Sequence, residues 1–269
     1  MRKRLGGSIA ALALLALLGF AIFAYGREPA TATAFALPAV PFVEAPPTDT
    51  DGSKAAGDGE PFVLSNSNGV SRWATVAEPV QVRAEPDAEA QVVARLKTVT
   101  PEGTTNAVLA LQRVSRGGKL WVQVRLPILP NNTLGWVPRS SLGGYNVVTT
   151  HLVIDTKRLS ATLYRRGRAV FRSPVGIGQR RWPTPTGRFY IRNKLTKYKN
   201  AFYGPLAFGT SARTAVLTDW PAGGFIGIHG TNAPNLIPGR VSHGCVRLRN
   251  PDILRLATLM SVGTPITIR

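Results

Sequence analysis

Hydrophobic and polar positions alternate in short runs along most of this chain, and only near the C-terminus does the apolar spacing become helical. Val80-Gln81-Val82 and Leu120-Trp121-Val122-Gln123-Val124-Arg125 read as half-buried strands, with turns at Glu85-Pro86-Asp87, Arg116-Gly117-Gly118 and Pro130-Asn131-Asn132. From Tyr145 the strands lengthen. Leu152-Val153-Ile154 and Ala161-Thr162-Leu163-Tyr164 read as a pair, and Arg166-Gly167 turns the chain into Ala169-Val170-Phe171. Gly187-Arg188-Phe189-Tyr190-Ile191 and Pro265-Ile266-Thr267-Ile268 follow as further strands. One helix is predicted, with Asn250 as N-cap, Pro251 at the first helical position and Asp252 in the first turn. It carries Ile253, Leu254, Leu256, Ala257 and Met260 at core spacing until Gly263. The predicted fold class is mainly β: a small barrel, then a larger β-rich domain with one short helix.

Two N-terminal segments break the pattern. Arg2, Lys3 and Arg4 precede an uncharged stretch from Leu5 to Tyr25, so residues 1–26 read as a signal anchor with its positive end inside, or as a signal peptide cleaved near Ala30-Thr31-Ala32. Residues 27–71, rich in Pro, Ala, Thr, Gly, Ser and acids, read as a flexible linker. The expected location is the extracytoplasmic face of the cell envelope, anchored by residues 5–25 or secreted after cleavage. The remainder divides into domains at 72–144 and 147–269.

Charge narrows the chemistry. The first 150 residues carry 14 Lys+Arg and 11 Asp+Glu, whereas the last 119 carry 19 Lys+Arg against Asp155, Asp219 and Asp252. A glycosidase carboxylate pair or a carboxylate cage for Mg²⁺ or Ca²⁺ has almost nothing to be built from. A basic extracellular domain suits anionic polymer or peptide carboxylates. No recognition-helix or stacking motif supports nucleic acid as a partner. Gly176-Ile177-Gly178 is no dinucleotide fingerprint, because the third glycine is missing and Pro183-Thr184-Pro185-Thr186-Gly187 forbids the helix that would hold a pyrophosphate.

Cys245 is the only cysteine, in Ser242-His243-Gly244-Cys245-Val246-Arg247, with His229 and His243 close upstream. A lone thiol in an exported protein makes no internal disulfide, so its reactivity is the question. Two imidazoles and a thiolate suit either a zinc site or nucleophilic attack on an acyl carbon, with the N–H groups of Gly244 and Cys245 facing an oxyanion. Spacing alone leaves His229 and His243 both open as the base.

Two resemblances sharpen this. Gln81-Val82-Arg83-Ala84-Glu85-Pro86, Leu120-Trp121-Val122-Gln123-Val124 and Gly135-Trp136-Val137 resemble a bacterial SH3-like domain, which implies a module that binds or positions wall peptide, with Trp121 and Trp136 as core or ligand platform. Ile228-His229-Gly230-Thr231 and Val241-Ser242-His243-Gly244-Cys245-Val246-Arg247-Leu248, preceded by Gly176-Ile177-Gly178 and Pro183-Thr184-Pro185-Thr186-Gly187, resemble the L,D-transpeptidase catalytic domain of the YkuD family. The resemblance implies Cys245 as nucleophile, His229 as base and the Gly230 carbonyl as its orienter, with His243 and Gly244 shaping the site. Arg247, Ser242, Trp220 and Tyr203 are the expected substrate contacts, the latter two from a lid within Lys194 to Gly224 that also holds Tyr198. Arg247 stands where some members have Asn.

The implied reaction cross-links peptidoglycan stem tetrapeptides, donor and acceptor, 3→3 through a cysteine thioester with release of D-alanine. It uses no cofactor and no metal, and a monomer is expected. L,D-carboxypeptidase action on water, attachment of a protein to the wall, a papain-like endopeptidase and a non-catalytic wall binder are the competing readings. In a papain-like enzyme the cysteine precedes its histidine, the reverse of the order in this chain. A positive, imidazole-bearing environment is expected to raise the thiolate fraction of Cys245.

Overall fold

Alternation of side chains places the first set of strands in an antiparallel sheet. Its members are β1 (Phe62–Val63), β2 (Ser71–Thr75), β3 (Val80–Arg83), β4 (Val92–Leu96), β5 (Ala107–Arg116), β6 (Lys119–Arg125), β7 (Leu134–Pro138) and β8 (Asn146–Val148). The order is β4-β3-β7-β6-β5-β2-β8, with β1 beside β5. The computed structural model describes residues 58–66, 69–196, 201–217 and 224–269, all within one compact unit. The expected signal anchor 1–26, most of the linker, Tyr198 and Trp220 lie outside the described residues. Among the described residues no helix is long and apolar enough to cross a membrane.

Alternate positions on β5, β6 and β7, among them Val108, Val122, Val124 and Val137, are fully buried and form the core of this sheet. Gly117 and Gly118 close the β5–β6 hairpin at φ 56° and 69°, the left-handed geometry that a two-residue hairpin loop requires. Three expectations are corrected. The sheet begins inside the expected linker, because Leu64 is buried and β1 pairs with β5. Val147 and Val148 pair with β2 and so belong to this sheet rather than to the second. The pairing runs from β4 to β8 without closing a barrel. Trp121 and Trp136 are buried together with Val114, so they are core rather than ligand platform.

The second sheet holds β9 (Thr150–Asp155), β10 (Ser160–Arg165), β11 (Arg168–Pro174), β12 (Gly176–Gly178), β13 (Gly187–Leu195), β14 (Ala207–Arg213), β15 (Phe225–His229), β16 (Gly239–Ser242), β17 (Val246–Arg247) and β18 (Pro265–Ile268). Its order is β11-β10-β9-β18-β13-β14-β15-β17-β12-β16. Helix α1 (Asn250–Leu259) buries Ile253 and Leu256 against Leu152, Phe189, Phe208 and Ile228. The helix ends before Gly263. Its N-cap is Arg249 and makes no side-chain cap bond, because the Asn250 side chain turns away to accept from the Thr231 N–H at 2.9 Å. The glycines of β12 have a packing reason. A Cβ on Gly178 would lie 2.6 Å from the Thr184 nitrogen and against the Trp182 carbonyl, so only glycine lets that loop cross the strand.

β13 joins the two sheets. The buried Tyr190 hydroxyl donates to the Ala107 carbonyl at 3.1 Å, and Asn193 donates to Glu102 and Thr104 at 3.3 and 3.0 Å. Asn131 closes a two-bond clasp with the Arg213 backbone, and the Trp73 ring lies against Gly263. At the centre Arg192, 2% exposed, meets Glu102 at 3.3 Å and lies over the Phe225 ring at 3.9 Å. A guanidinium this far from water is tolerated only while an opposite charge and an aromatic face replace its hydration.

Glu102→Gln leaves that cation without its counter-charge and is expected to lower stability by about 2–3 kcal/mol in urea unfolding. The Glu102→Leu/Arg192→Met pair, which removes both charges, should lose less than the single change.

Candidate active site

The thiol sits on a turn that only glycine can make. Gly244 has φ 117°, and a Cβ there would lie 2.8 Å from Ile226. Ser242 Oγ accepts from the Gly244 N–H at 3.1 Å and donates to the Cys245 carbonyl at 2.5 Å. Thr184 Oγ1 donates to the Gly244 carbonyl at 2.7 Å and accepts from the Gly178 N–H at 2.9 Å. These bonds revise two expectations. The Gly244 N–H is occupied, which leaves that of Cys245 for an oxyanion. Ser242 borders the thiol cleft but is buried, and its hydroxyl is committed to the backbone of the turn.

A short parallel ladder brings the imidazole to the sulfur. Ile228 pairs with Val246 and His229 with Arg247, so Gly227 lies opposite Cys245, with His229 two residues on and therefore on the same face. The Gly227 N–H donates to Cys245 Sγ at 3.3 Å. A Cβ on Gly227 would sit 3.8 Å from both Cys245 Sγ and His229 Cδ2; the missing side chain leaves open the gap between them.

His229 is 1% exposed, and its Nδ1–H donates to the Gly230 carbonyl at 2.6 Å. A carbonyl only accepts, so the ring proton is on Nδ1 and the lone pair on Nε2. Nε2 is buried with no hydrogen-bond partner among the described residues. Burial drives the imidazole down to about 4, with the Gly230 carbonyl pulling up and the Arg247 charge pushing down. His229 is therefore neutral at physiological pH and able to take a proton. Behind it, a Cβ on Gly230 would lie 2.9 Å from Pro205 and 3.1 Å from Gly204, and against Asn250 Oδ1.

Cys245 is half-buried, and desolvation pushes its thiol up from the ordinary value, outweighing the Gly227 N–H and the Arg247 charge. The expected thiolate enrichment is thus reversed. The nearby cation is real, but water exclusion costs the anion more than one guanidinium returns. The resting pair is thiol and neutral imidazole.

Arg247 is 6% exposed, its guanidinium 4.3 Å over the Phe202 ring and its Nε without a hydrogen-bond partner among the described residues. Tyr203 meets His229 edge-on, with centroids 4.9 Å apart. The His243 ring lies 4.0 Å from the Trp182 ring, and the Arg181 guanidinium lies 3.6 Å over Trp182. Cys245, His229, His243, Arg247, Phe202, Tyr203 and Phe225 line one narrow cleft. Among the described residues no group of three or more His, Cys, Asp or Glu side chains is arranged to hold a metal ion. The expected lid is interrupted by β14, whose Phe208 and Ala212 are fully buried, and Trp220 lies outside the described residues. Thr184, Trp182, Phe202 and Gly227 escaped the sequence reading. Thr184 lay inside the Pro-Thr-Pro-Thr-Gly run, and Gly227 beside the histidine segment.

Comparison with known proteins identifies the family of the domain that holds these residues. The YkuD family, described as the L,D-transpeptidase catalytic domain, matches residues 149–268 and thus begins past the first sheet. The YkuD protein of Bacillus licheniformis is 35% identical over 123 residues, covering 46% of this chain and 67% of that protein. The YkuD protein of Bacillus subtilis is 32% identical over 118 residues, covering 44% of this chain and 65% of that protein. The chain thus spans about two thirds of the length of these relatives. The solved catalytic domain of the Enterococcus faecium L,D-transpeptidase has 23% identity, covers 45% of this chain and 96% of that chain, and gives a TM-score of 0.34.

Because the thiol is raised, alkylation by iodoacetamide is expected to be slow at neutral pH and to climb only above about 8.5, the ordinary cysteine value. A rate already flat between pH 5 and 7 would mean a standing thiolate–imidazolium pair and would contradict this geometry.

Proposed function

We infer the function from one premise: the chain belongs to the YkuD family of L,D-transpeptidase catalytic domains. We propose that it is a peptidoglycan L,D-transpeptidase that forms 3→3 cross-links through a thioester on Cys245. The observation that carries this is the neutral His229, its Nδ1–H committed to Gly230 and its Nε2 free, on the same sheet face as Cys245.

The reaction follows from that arrangement. His229 Nε2 takes the thiol proton as sulfur attacks the carbonyl of the third residue of a donor tetrapeptide, so the anion need exist only as the new bond forms. In this reading the Cys245 N–H donates to the oxyanion. Collapse breaks the bond to D-alanine, whose amine leaves with the proton from His229. The thioester then passes its acyl group to the side-chain amine of a second stem, which returns a proton to the imidazole and restores the thiol. One amide is exchanged for another, so no energy source enters. Arg247 suits a stem carboxylate, since its Nε lacks a partner in the cleft. In this reading the first sheet, whose two tryptophans are core, supports the catalytic domain from behind β13, and an SH3-like assignment for it remains part of the proposal.

Incubation of the soluble protein with purified tetrapeptide stems, followed by mass spectrometry, is expected to give a cross-linked dimer and free D-alanine. Tripeptide alone would make the protein an L,D-carboxypeptidase, and no change would make it a binder. A carbapenem-type β-lactam should add its mass to the native protein and not to Cys245→Ala. Gly230→Ala should lower kcat/KM by about a hundredfold, because the new methyl has no room and must shift the carbonyl that aims His229.

A further inference from the structure

Two hollows lie away from the thiol, on the solvent face of β11, β10, β9 and β18. One of about 330 Å³ is bounded on one side by Ser71 of the first sheet, and one of about 260 Å³ adjoins it through Val153, Tyr164 and Arg269.

Strand register lays out this face. Arg172 pairs with Thr162, Thr162 with Val153, Val153 with Thr267, and Thr267 with Arg188. These five form one row across five strands, about 19 Å from end to end at ~4.8 Å per strand. Beside it Tyr164 pairs with His151, whose Nε2 bonds to Thr267 Oγ1 at 2.9 Å. Burial first, then the Arg188 charge, holds His151 below its ordinary value, and the pairing of Arg188 with Thr267 sets that residue on the same face. Arg158 and Arg269 stand along the other edge. Asp155, the carboxylate among them, is already engaged by the N–H groups of Lys157 and Arg158 and lies 3.7 Å from Arg269.

The trough therefore has guanidiniums at its ends and hydroxyls, Val153 and Tyr164 along its floor. A polyphosphate, charged at every repeat, would leave its middle charges over an uncharged floor. A chain with spaced carboxylates joined by hydroxyl- and amide-bearing units matches both parts. We propose that this trough binds a glycan strand of peptidoglycan, sugars on the floor and stem carboxylates at the arginine ends, as a second contact with the polymer on which the enzyme acts. This rests on the function proposed above. β9 and β17 lie five places apart in the strand order, so the trough holds a different stretch of polymer from the stem at Cys245.

The test uses the Arg172→Ser/Arg188→Ser variant of the full chain with two substrates, free tetrapeptide and uncross-linked peptidoglycan strands bearing tetrapeptide stems. KM for the strands should rise about five- to tenfold, with kcat and the turnover of free tetrapeptide unchanged. An unchanged KM for the strands overturns the proposal, as does an equal loss on both substrates. So does a polyphosphate that displaces the strands as well as soluble peptidoglycan fragments do. Should the native chain turn over neither substrate, the catalytic reading fails on its own. Sedimentation with insoluble peptidoglycan then decides the trough, which requires the native chain to pellet and the variant to stay largely in solution.

Discussion

Two residue pairs of parallel ladder between β15 and β17 carry the chemistry of this protein. They bring residues sixteen positions apart in the chain onto one face, thiol and imidazole flanking the space that Gly227 leaves open. Slipping that register by one residue would turn His229 into the opposite face, away from the Cys245 sulfur. The surrounding bonds read as means of holding this ladder and its turn still. Ser242 and Thr184 clamp the backbone on either side of Gly244, and Asn250, taken from the start of α1, holds the chain just past His229.

The same constraint explains why a domain almost without acids has what it needs. A carboxylate behind His229 would favour the imidazolium, whereas a carbonyl fixes the tautomer without a net charge. In so dry a setting the imidazole stays neutral, helped by the Arg247 charge, and the sulfur stays protonated in spite of that charge. Such a resting state avoids a standing ion pair in a site that disfavours both ions. In the proposed reaction it makes proton transfer part of the attack rather than a condition that precedes it.

How much of this was legible follows from which forces leave a trace in sequence. β9 and β18 showed because each buries alternate residues, and the turns showed because glycine and asparagine mark positive φ. β14 did not. Ala207-Phe208-Gly209-Thr210-Ser211-Ala212 is buried on both faces and built of small residues, so no alternation survives. The segments that carry the thiol and the two histidines stood out in the sequence, but spacing did not choose between the histidines, and the state of the thiol left no trace, since desolvation depends on what packs around it. Asn250 looked like an N-cap by every local rule, and a tertiary partner, the Thr231 N–H, claimed its side chain. Ser242 likewise looked like a substrate contact until the turn took its hydroxyl.

Arg192 is the furthest from legible, and it changes how the two sheets relate. An arginine in a basic domain reads as solvated surface, yet this one is buried, with Glu102 of the first sheet as its counter-ion and Phe225 under its plane. Phe225 begins β15 and lines the thiol cleft. The chain of contact from Glu102 through Arg192 to Phe225 therefore runs from one sheet into the strand that carries the base. A detachable binding module would put a solvated seam at that junction. What lies there instead is a buried ion pair, a buried tyrosine bond and an asparagine clasp, groups that become costly if the sheets part. The first sheet is thus better understood as a wall of the catalytic body than as a separate tether. Because that wall also borders the hollow beside Ser71, anything bound there touches the same rigid assembly that sets the register of β15 and β17.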